Sequence, residues 1–357
     1  MSVRAWLSER LPVADVLAAL RHKTVPHHRY SIWYYFGGAT LFLFGIQVGT
    51  GALLLLYYRP SAAEAYESVQ FIVTRVPFGW LVRSVHAWAA NLMVATAFAH
   101  LFSVLFLHAY RRPRELTWMS GVVLLLLTLA FGFTGYLLPW NTISFFATRV
   151  GTDIASTVPF IGDGIVRFLR GGNDVSGATL TRLFGFHVAI LPAIATAIVA
   201  LHLLLVQRHG MSVPPSIEQR AKDDPTVVRA MPFLPHFLLR DLFAWTAVLA
   251  VLAALSTFYP WELGEKADPF AAAPAGIRPE WYFLWAFETL KWVPPVVAGI
   301  DGEFLAVLFM SAGAIGALLL PFLAGGTTRS RRVVIWFGLA ALVFMSAMTL
   351  LALRATP

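Results

Sequence analysis

The chain has 357 residues, of which 58% are hydrophobic and 13% charged, and its mean hydropathy is +0.69. Apolar stretches that approach the length of a bilayer span recur along it, which excludes an ordinary soluble domain and predicts an all-α polytopic membrane protein. The chain contains no cysteine, so disulfides, iron–sulfur ligation and thioether-linked haem are excluded within this subunit.

Seven transmembrane helices are predicted in chain order, at about 33–57, 81–107, 117–138, 183–206, 240–258, 303–323 and 333–353. With a cytoplasmic amino terminus, the cytoplasmic segments hold most of the Lys and Arg residues but a minority of the acidic ones. This bias predicts that the amino terminus is cytoplasmic and that the carboxy terminus lies outside a bacterial inner membrane. The net charge of +8 therefore indicates topology and contact with anionic lipid, not a nucleic-acid partner.

Two domains are predicted. Residues 1–210 hold four spans and all the intramembrane histidines, whereas residues 211–357 hold three spans and no such histidine. A long outer loop at 139–182 contains IGDGIVRFLRGG, which is typical of short helices lying on a membrane surface. A second outer loop, 259–302, is rich in Pro, Trp and acidic residues.

Four histidines lie inside predicted spans, His86 and His100 in the second and His187 and His202 in the fourth. An α-helix turns about 100° and rises about 1.5 Å per residue, so steps of 14 and 15 residues keep each pair roughly on one face and about 21 Å apart. Two such helices would place histidine pairs at two depths, as the axial ligands of two stacked haems require. The alternative is that each histidine forms an interhelical hydrogen bond.

Four glycines repeat the same interval. Gly37 and Gly51 lie 14 residues apart in the first span, and Gly121 and Gly135 lie 14 apart in the third. A flat macrocycle between helices needs places without a side chain, which glycine supplies, although small residues also serve close helix packing. The four spans together predict a bundle with two cofactors in its core.

Three arginines are candidates for pairing with haem propionates. Arg83 lies one turn before His86 at the outer end of its span, Arg182 precedes His187 on the same side, and Arg114 lies at the inner end near the level of His100. Arginines at span ends also serve as interfacial anchors, which is the alternative for all three.

The four histidines, the paired glycines and three sequence runs, in this order, resemble cytochrome b of the quinol-oxidising bc complexes over essentially the whole chain. The runs are GFTGYLLPWN (132–141), GATLTRLFGFH (177–187) and PEWYF (279–283). The 15-residue histidine step and RPRELTW (112–118) are similar to the chloroplast-type b6 protein. The three-span second domain resembles the separate subunit IV, here fused, whereas PHFLLRDLF (235–243) is closer to the bc1 type.

The resemblance implies two non-covalent b-type haems. His86 and His187 would hold the outer, low-potential haem, and His100 and His202 the inner, high-potential haem. The b6 proteins carry a cysteine at the position of Tyr35 that tethers an extra haem, so no covalently held third haem is expected here. The implied partners are a Rieske iron–sulfur protein, a c-type cytochrome and a second copy of the complex.

The implied activity is that of a quinol–cytochrome c reductase that oxidises quinol at an outer site, passes electrons through the haems to an inner quinone site and contributes to proton translocation. Glu280 of the PEWY run would accept a quinol proton, with Tyr282 in the pocket wall. The alternative is that Glu280 simply favours the start of its helix. At the inner site, Asp241 would protonate reduced quinone and Arg240 would balance charge, unless they form only an interfacial ion pair.

Two other functions are compatible with the histidines alone. The first is a di-haem, quinone-reactive membrane anchor of a dehydrogenase, which has no reason to carry PEWY. The second is a haem-free transporter whose intramembrane histidines relay protons.

Overall fold

The computed structural model describes residues 3–10, 18 and 20–354. The start of the first predicted domain, at residue 1, and the end of the second, at residue 357, therefore lie outside the described residues. Within that part, seven helices are long and apolar enough to cross a membrane, which confirms the predicted architecture. The seven spans are Ser31–Leu55, Gly79–Phe106, Glu115–Tyr136, Gly177–His209, Phe233–Phe258, Gly302–Leu323 and Thr328–Arg354.

The first four spans form the bundle that carries the histidines. The first span packs along the second, the third packs along the fourth, and the second and third join the two halves. The fifth span packs against the first and second, the sixth against the third, and the seventh against the second. The three later spans therefore pack against the first three. The terms outer and inner follow the topology predicted from charge.

Shorter elements lie at the two ends of the spans. The helices are Val3–Arg10, Ala65–Arg75, Thr142–Ser156, Gly162–Arg170, Pro215–Asp223 and Trp281–Trp292. On the inner side, strand Thr24–His27 pairs antiparallel with strand Arg229–Pro232. On the outer side, Val296–Val297 pairs with Ile300–Asp301. The first pairing fixes the amino-terminal segment to the linker before the fifth span.

The outer helices are fixed by the residues at the end of the GFTGYLLPWN run. The side chain of Asn141 accepts a hydrogen bond from the backbone N–H of Ser144 at 2.8 Å and so caps helix Thr142–Ser156. Its amide also donates to the carbonyl of Leu263 at 2.7 Å. This one side chain therefore connects the helix to the second outer loop, and both of these elements flank the outer cavity described below.

A buried arginine holds the two helices of the first outer loop together. Arg170 is 3% exposed and donates to the Asp153 carboxylate at 2.7 Å and to the Thr152 hydroxyl at 2.7 Å. It also reaches the carbonyls of Arg149 and Asn173. Because a buried guanidinium needs partners for its donors, this network fixes helix Gly162–Arg170 against helix Thr142–Ser156.

Candidate functional site

The two outer histidines face each other across the bundle. The ring centroids of His86 and His187 lie 6.4 Å apart with an interplanar angle of 74°. Metal–imidazole bonds are about 2.0 Å long, on the scale known for zinc, so opposed centroids about 6 Å apart suit one shared metal. Two imidazoles that merely hydrogen-bond would stand closer, so this spacing fits a pair of axial ligands.

Hydroxyl groups orient the outer rings. The Thr50 hydroxyl lies 2.8 Å from Nδ1 of His86, and the Thr134 hydroxyl lies 3.2 Å from Nδ1 of His187. Each hydroxyl donates its single hydrogen to a backbone carbonyl of its own helix, at 2.7 and 2.8 Å. The hydroxyl oxygen is then an acceptor from Nδ1–H, so the unprotonated nitrogen of each ring is Nε2. That is the tautomer that binds a metal through Nε2.

The inner pair differs in one respect. The Ser120 hydroxyl lies 2.9 Å from Nδ1 of His202 and donates to the carbonyl of Thr117 at 2.9 Å. Nδ1 of His100, by contrast, is buried without a hydrogen-bond partner in the described part of the chain. Three of the four histidines therefore have a fixed tautomer, and the fourth has a bare Nδ1.

Each of the four glycines touches one of the four histidines. A Cβ added at Gly135 would lie 2.6 Å from Cε1 of the His187 ring, and one added at Gly37 would lie 3.0 Å from that of His100. The corresponding distances are 3.3 Å from Gly121 to His202 and 3.4 Å from Gly51 to His86. Each glycine leaves the space in which one histidine ring lies, and the role of these glycines in making room for a haem macrocycle stays a prediction. The opposed rings of His86 and His187 fit a haem with two histidine ligands, and the matching glycine contacts of His100 and His202 fit a second such pair.

The hydroxyls were missed by the sequence analysis, although a signal for them exists. Thr50, Ser120 and Thr134 each directly precede one of the glycines. The fourth glycine, Gly37, follows Phe36 and faces the histidine with the bare Nδ1. A hydroxyl–glycine pair at the histidine interval is thus the pattern that could have identified these partners.

A π-type turn explains the unequal histidine steps. The fourth span contains such a turn at Phe186–Ile190, where the N–H of Leu191 bonds to the carbonyl of Phe186. This turn inserts one residue relative to an α-helix. The 15 residues from His187 to His202 are therefore equivalent to 14 α-helical residues, and both histidine pairs keep the same angular offset.

The three arginines predicted to pair with propionates bind backbone carbonyls in the structure. Each of them ties a loop or a helix end to the bundle, and that part of their role was not predicted. The bonds run from Arg83 to Trp261 (2.5 Å) and Glu262 (2.9 Å), from Arg182 to Phe168 (2.5 Å) and Arg167 (3.2 Å), and from Arg114 to His209 (2.9 Å) and Gly210 (3.2 Å). Propionate pairing stays a prediction for all three.

An apolar cavity of about 200 Å³ lies on the outer side. Its walls come from the end of the third span, helix Thr142–Ser156 and helix Trp281–Trp292. Glu280 and Tyr136 bring polar atoms to this wall, which is otherwise mostly apolar. A mostly apolar cavity with a few polar groups is typical of a small-molecule site.

Glu280 does not cap its helix. It occupies the residue before helix Trp281–Trp292, but its side chain makes no capping hydrogen bond. Burial raises the pKa of the Glu280 carboxyl above its ordinary value. Both observations favour a proton-accepting role over the alternative of a helix-starting residue.

Tyr282 packs against Gly132 at the wall of the outer cavity. Its ring is 6% exposed, and its hydroxyl oxygen would lie 2.5 Å from a Cβ added at Gly132. Gly132 itself lines the cavity. The ring of Tyr282 also packs on that of Phe283, with centroids 4.8 Å apart. Its predicted place in the wall of a quinol pocket stays a prediction.

A second cavity, of about 800 Å³, lies on the inner side between the first and fifth spans. Arg240 lines it, as predicted, and donates to Nε2 of His27 at 2.9 Å. Tyr35 also lines this cavity, and the Arg240 side chain lies beside it. His27 was missed by the sequence analysis because its strand precedes the first span and only the fold brings it to the fifth.

Asp241 does not line this cavity. Its carboxylate packs against Gly38, where a Cβ would clash with Oδ1, and Oδ1 has no hydrogen-bond partner among the described residues. Adjacent residues of a helix point about 100° apart, so the two side chains present different faces, and the roles predicted for them at a quinone site stay predictions. Arg240 faces the cavity and Asp241 faces the first span.

A seven-span bundle with paired histidines at two levels and a cavity on each side defines an electron-transfer membrane protein of the b-cytochrome class. The chain belongs to the cytochrome b family. Residues 20–210 match the family model described as cytochrome b/b6/petB, and residues 266–356 match that described as cytochrome b (C-terminal)/b6/petD. The family binds b-type haem, and the lack of cysteine fits non-covalent binding.

Relatives and a solved structure agree with this assignment. The chain is 45% identical to a cytochrome bc complex cytochrome b subunit of Chlorobaculum thiosulfatiphilum, over 96% of this chain and 79% of the relative. It is 43% identical to cytochrome b6 of a Synechococcus strain, over 58% of this chain and 97% of the relative. A structure described as a hyperthermophilic respiratory Complex III superposes with a TM-score of 0.87 at 32% identity, covering 99% of this chain and 92% of that one. The chain is therefore a fused cytochrome b of a bc-type complex.

Proposed function

We propose that this subunit holds two b haems, oxidises quinol at the outer cavity and reduces quinone at the inner one. The observation that carries the proposal is the opposition of His86 and His187 at 6.4 Å, with each Nδ1 held by a hydroxyl. His100 and His202 would hold the second haem. When bound, each haem supplies one-electron transfer; the protein supplies its ligands, the two cavities and the proton-handling groups.

At the outer cavity, Glu280 would accept a proton from quinol. A carboxylate on the wall of an otherwise apolar cavity binds a hydroxyl strongly, because few other polar groups compete for it. The raised pKa of Glu280 makes its carboxylate a better base than an exposed one. One electron would go to a Rieske iron–sulfur protein, and the other would cross the membrane through the bundle.

At the inner cavity, Arg240 and His27 would bind the quinone carbonyls. Arg240 is always protonated and has no acceptor, so Nε2 of His27 accepts and its Nδ1 carries the hydrogen. This leaves Nδ1–H free to donate, since it bonds to no described residue. Leu239 and Phe243 line this cavity and are exposed. They give a quinone dissolved in the membrane an apolar entry to the cavity.

We further propose that the complex contains a Rieske protein, a c-type cytochrome and a second copy of this chain, in a bacterial inner membrane. Family membership with bc complexes leaves the dehydrogenase anchor and the haem-free transporter without support. The coupled reaction would release quinol protons outside and take up protons at the inner cavity, which lies on the predicted cytoplasmic side.

The test is a reduced-minus-oxidised spectrum of the purified complex. His86→Leu should remove the outer b haem and His202→Leu the inner one, each leaving the other. His22→Leu is the matched control, because His22 lies on the exposed surface and its loss should leave both haems. A complete two-haem spectrum in His86→Leu would refute the assignment of that ligand.

A further inference from the structure

The hydroxyl–glycine pairs are distributed unequally between the two histidine levels. At the outer level both rings have a hydroxyl acceptor, Thr50 for His86 and Thr134 for His187. At the inner level only His202 has one. The remaining ring, His100, is buried with no partner for Nδ1 in the described residues.

The number of hydroxyl acceptors at each level matters, because an acceptor that binds Nδ1–H makes Nε2 of the same ring more basic. A more basic ligand favours the more positively charged, oxidised form of the iron over the reduced form. The outer couple therefore takes up an electron less readily than the inner couple. The electron that leaves the outer cavity would then run energetically downhill toward the inner one.

We propose that Thr50, Thr134 and Ser120 are positioning residues that set the potentials of the two haems, two of them lowering the outer potential and one the inner. The proposal rests on the haem ligation given under the proposed function. It assigns these hydroxyls a role that helix packing alone does not require, since each already satisfies its own hydrogen on a backbone carbonyl.

The expected effect is moderate. Loss of an outer partner typically changes metal affinity by about tenfold or more, and a tenfold change confined to the oxidised form corresponds to about 59 mV for a one-electron couple. Thr50→Val should raise the outer potential by about this amount. Thr134→Val should raise it by less, because the backbone carbonyl of Phe131 also accepts from the His187 ring. Valine matches threonine in shape but has no acceptor.

The measurement is a potentiometric titration of each haem in the purified complex. Thr50→Ser is the matched control, because it restores the acceptor, and it should return the outer potential to the wild-type value. The inner haem is an internal control in both variants. Ser120→Ala should raise the inner potential alone.

A reciprocal variant adds the missing hydroxyl. Phe36 precedes Gly37 as Thr50 precedes Gly51, and Gly37 contacts His100 as Gly51 contacts His86. Phe36→Thr should therefore lower the inner potential relative to Phe36→Val, which has the same shape and the same loss of the phenyl ring. Only the hydroxyl differs between these two variants.

The outcomes separate this proposal from the ligation on which it rests. If His86→Leu keeps its outer haem, the ligation is wrong. If the ligation holds but Thr50→Val, Thr134→Val and Ser120→Ala leave both potentials unchanged, the hydroxyls have no tuning role and the proposal is overturned. If a threonine variant loses its haem, the potentials of Ser120→Ala and of Phe36→Thr against Phe36→Val test the proposal instead.

Discussion

The graded contacts between glycines and histidines give the sharpest prediction. A Cβ at Gly135 would stand 2.6 Å from the His187 ring, whereas a Cβ at Gly51 would stand 3.4 Å from the His86 ring, which is ordinary van der Waals contact. Gly135→Ala must therefore push an imidazole by about 0.8 Å, the difference between these distances, and Gly51→Ala need push nothing. Both changes gain the same helix propensity, so that effect cancels.

The displaced ring cannot move freely. Nδ1 of His187 is bonded to Thr134, the residue next to the substituted glycine. Overpacking of this kind costs about 1–3 kcal/mol, which corresponds to roughly 5- to 140-fold in affinity. We expect the outer haem of Gly135→Ala to be lost or weakened by this factor, while Gly51→Ala keeps it.

The assay is the ratio of b haem to protein in the purified complex, with the outer haem resolved by its difference spectrum. The inner haem measures overall folding in each variant. Equal outer-haem content in the two alanine variants, or greater loss from Gly51→Ala, would refute the reasoning. It would mean that the bundle relaxes around the added methyl group.

Three further predictions concern the cavities and the fourth span. Because burial raises the pKa of Glu280, its carboxylate becomes protonated at a higher pH than an exposed carboxylate, and the rate of quinol oxidation should fall as the pH drops through that raised pKa. Glu280→Gln should oxidise quinol slowly and should not show this fall in rate at low pH. An unchanged pH profile in Glu280→Gln would refute proton acceptance by Glu280. His27→Gln should weaken inner-site quinone binding by about three- to tenfold, measured by equilibrium binding of labelled quinone, whereas His27→Asn, which keeps a donor near the Nδ1 position, should bind more tightly than His27→Gln. One alanine inserted after Ile198 should turn His202 by about 100° and remove the inner haem, and a normal two-haem spectrum would contradict this.

Much of the architecture could be predicted because its signals are local. Hydropathy and length give the seven spans, since each helix satisfies its own backbone in lipid. The 14-residue interval identified the histidines and glycines as one constellation. Which glycine contacts which histidine could not be predicted from the spacing, because these contacts depend on the relative axial positions of neighbouring helices.

The same limit applies to the side chains of Tyr282 and Asp241. Both residues lie in motifs that the sequence identified, but the face each presents is decided by helix packing, which places Tyr282 against Gly132 and Asp241 against Gly38. His27 reaches the inner cavity only because its strand pairs with Arg229–Pro232, a contact across some 200 residues. No local sequence pattern predicts such a strand pairing.

By itself, the sequence determined the class of protein, the number of spans and the four histidines, because helix periodicity and bilayer length act on consecutive residues. Only the tertiary structure decided the tautomer of three of the rings, the bare Nδ1 of His100 and the π-type turn that reconciles 15 residues with 14. These features arise from atoms on different helices or turns meeting within about 3 Å, and that geometry exists only once the bundle has packed.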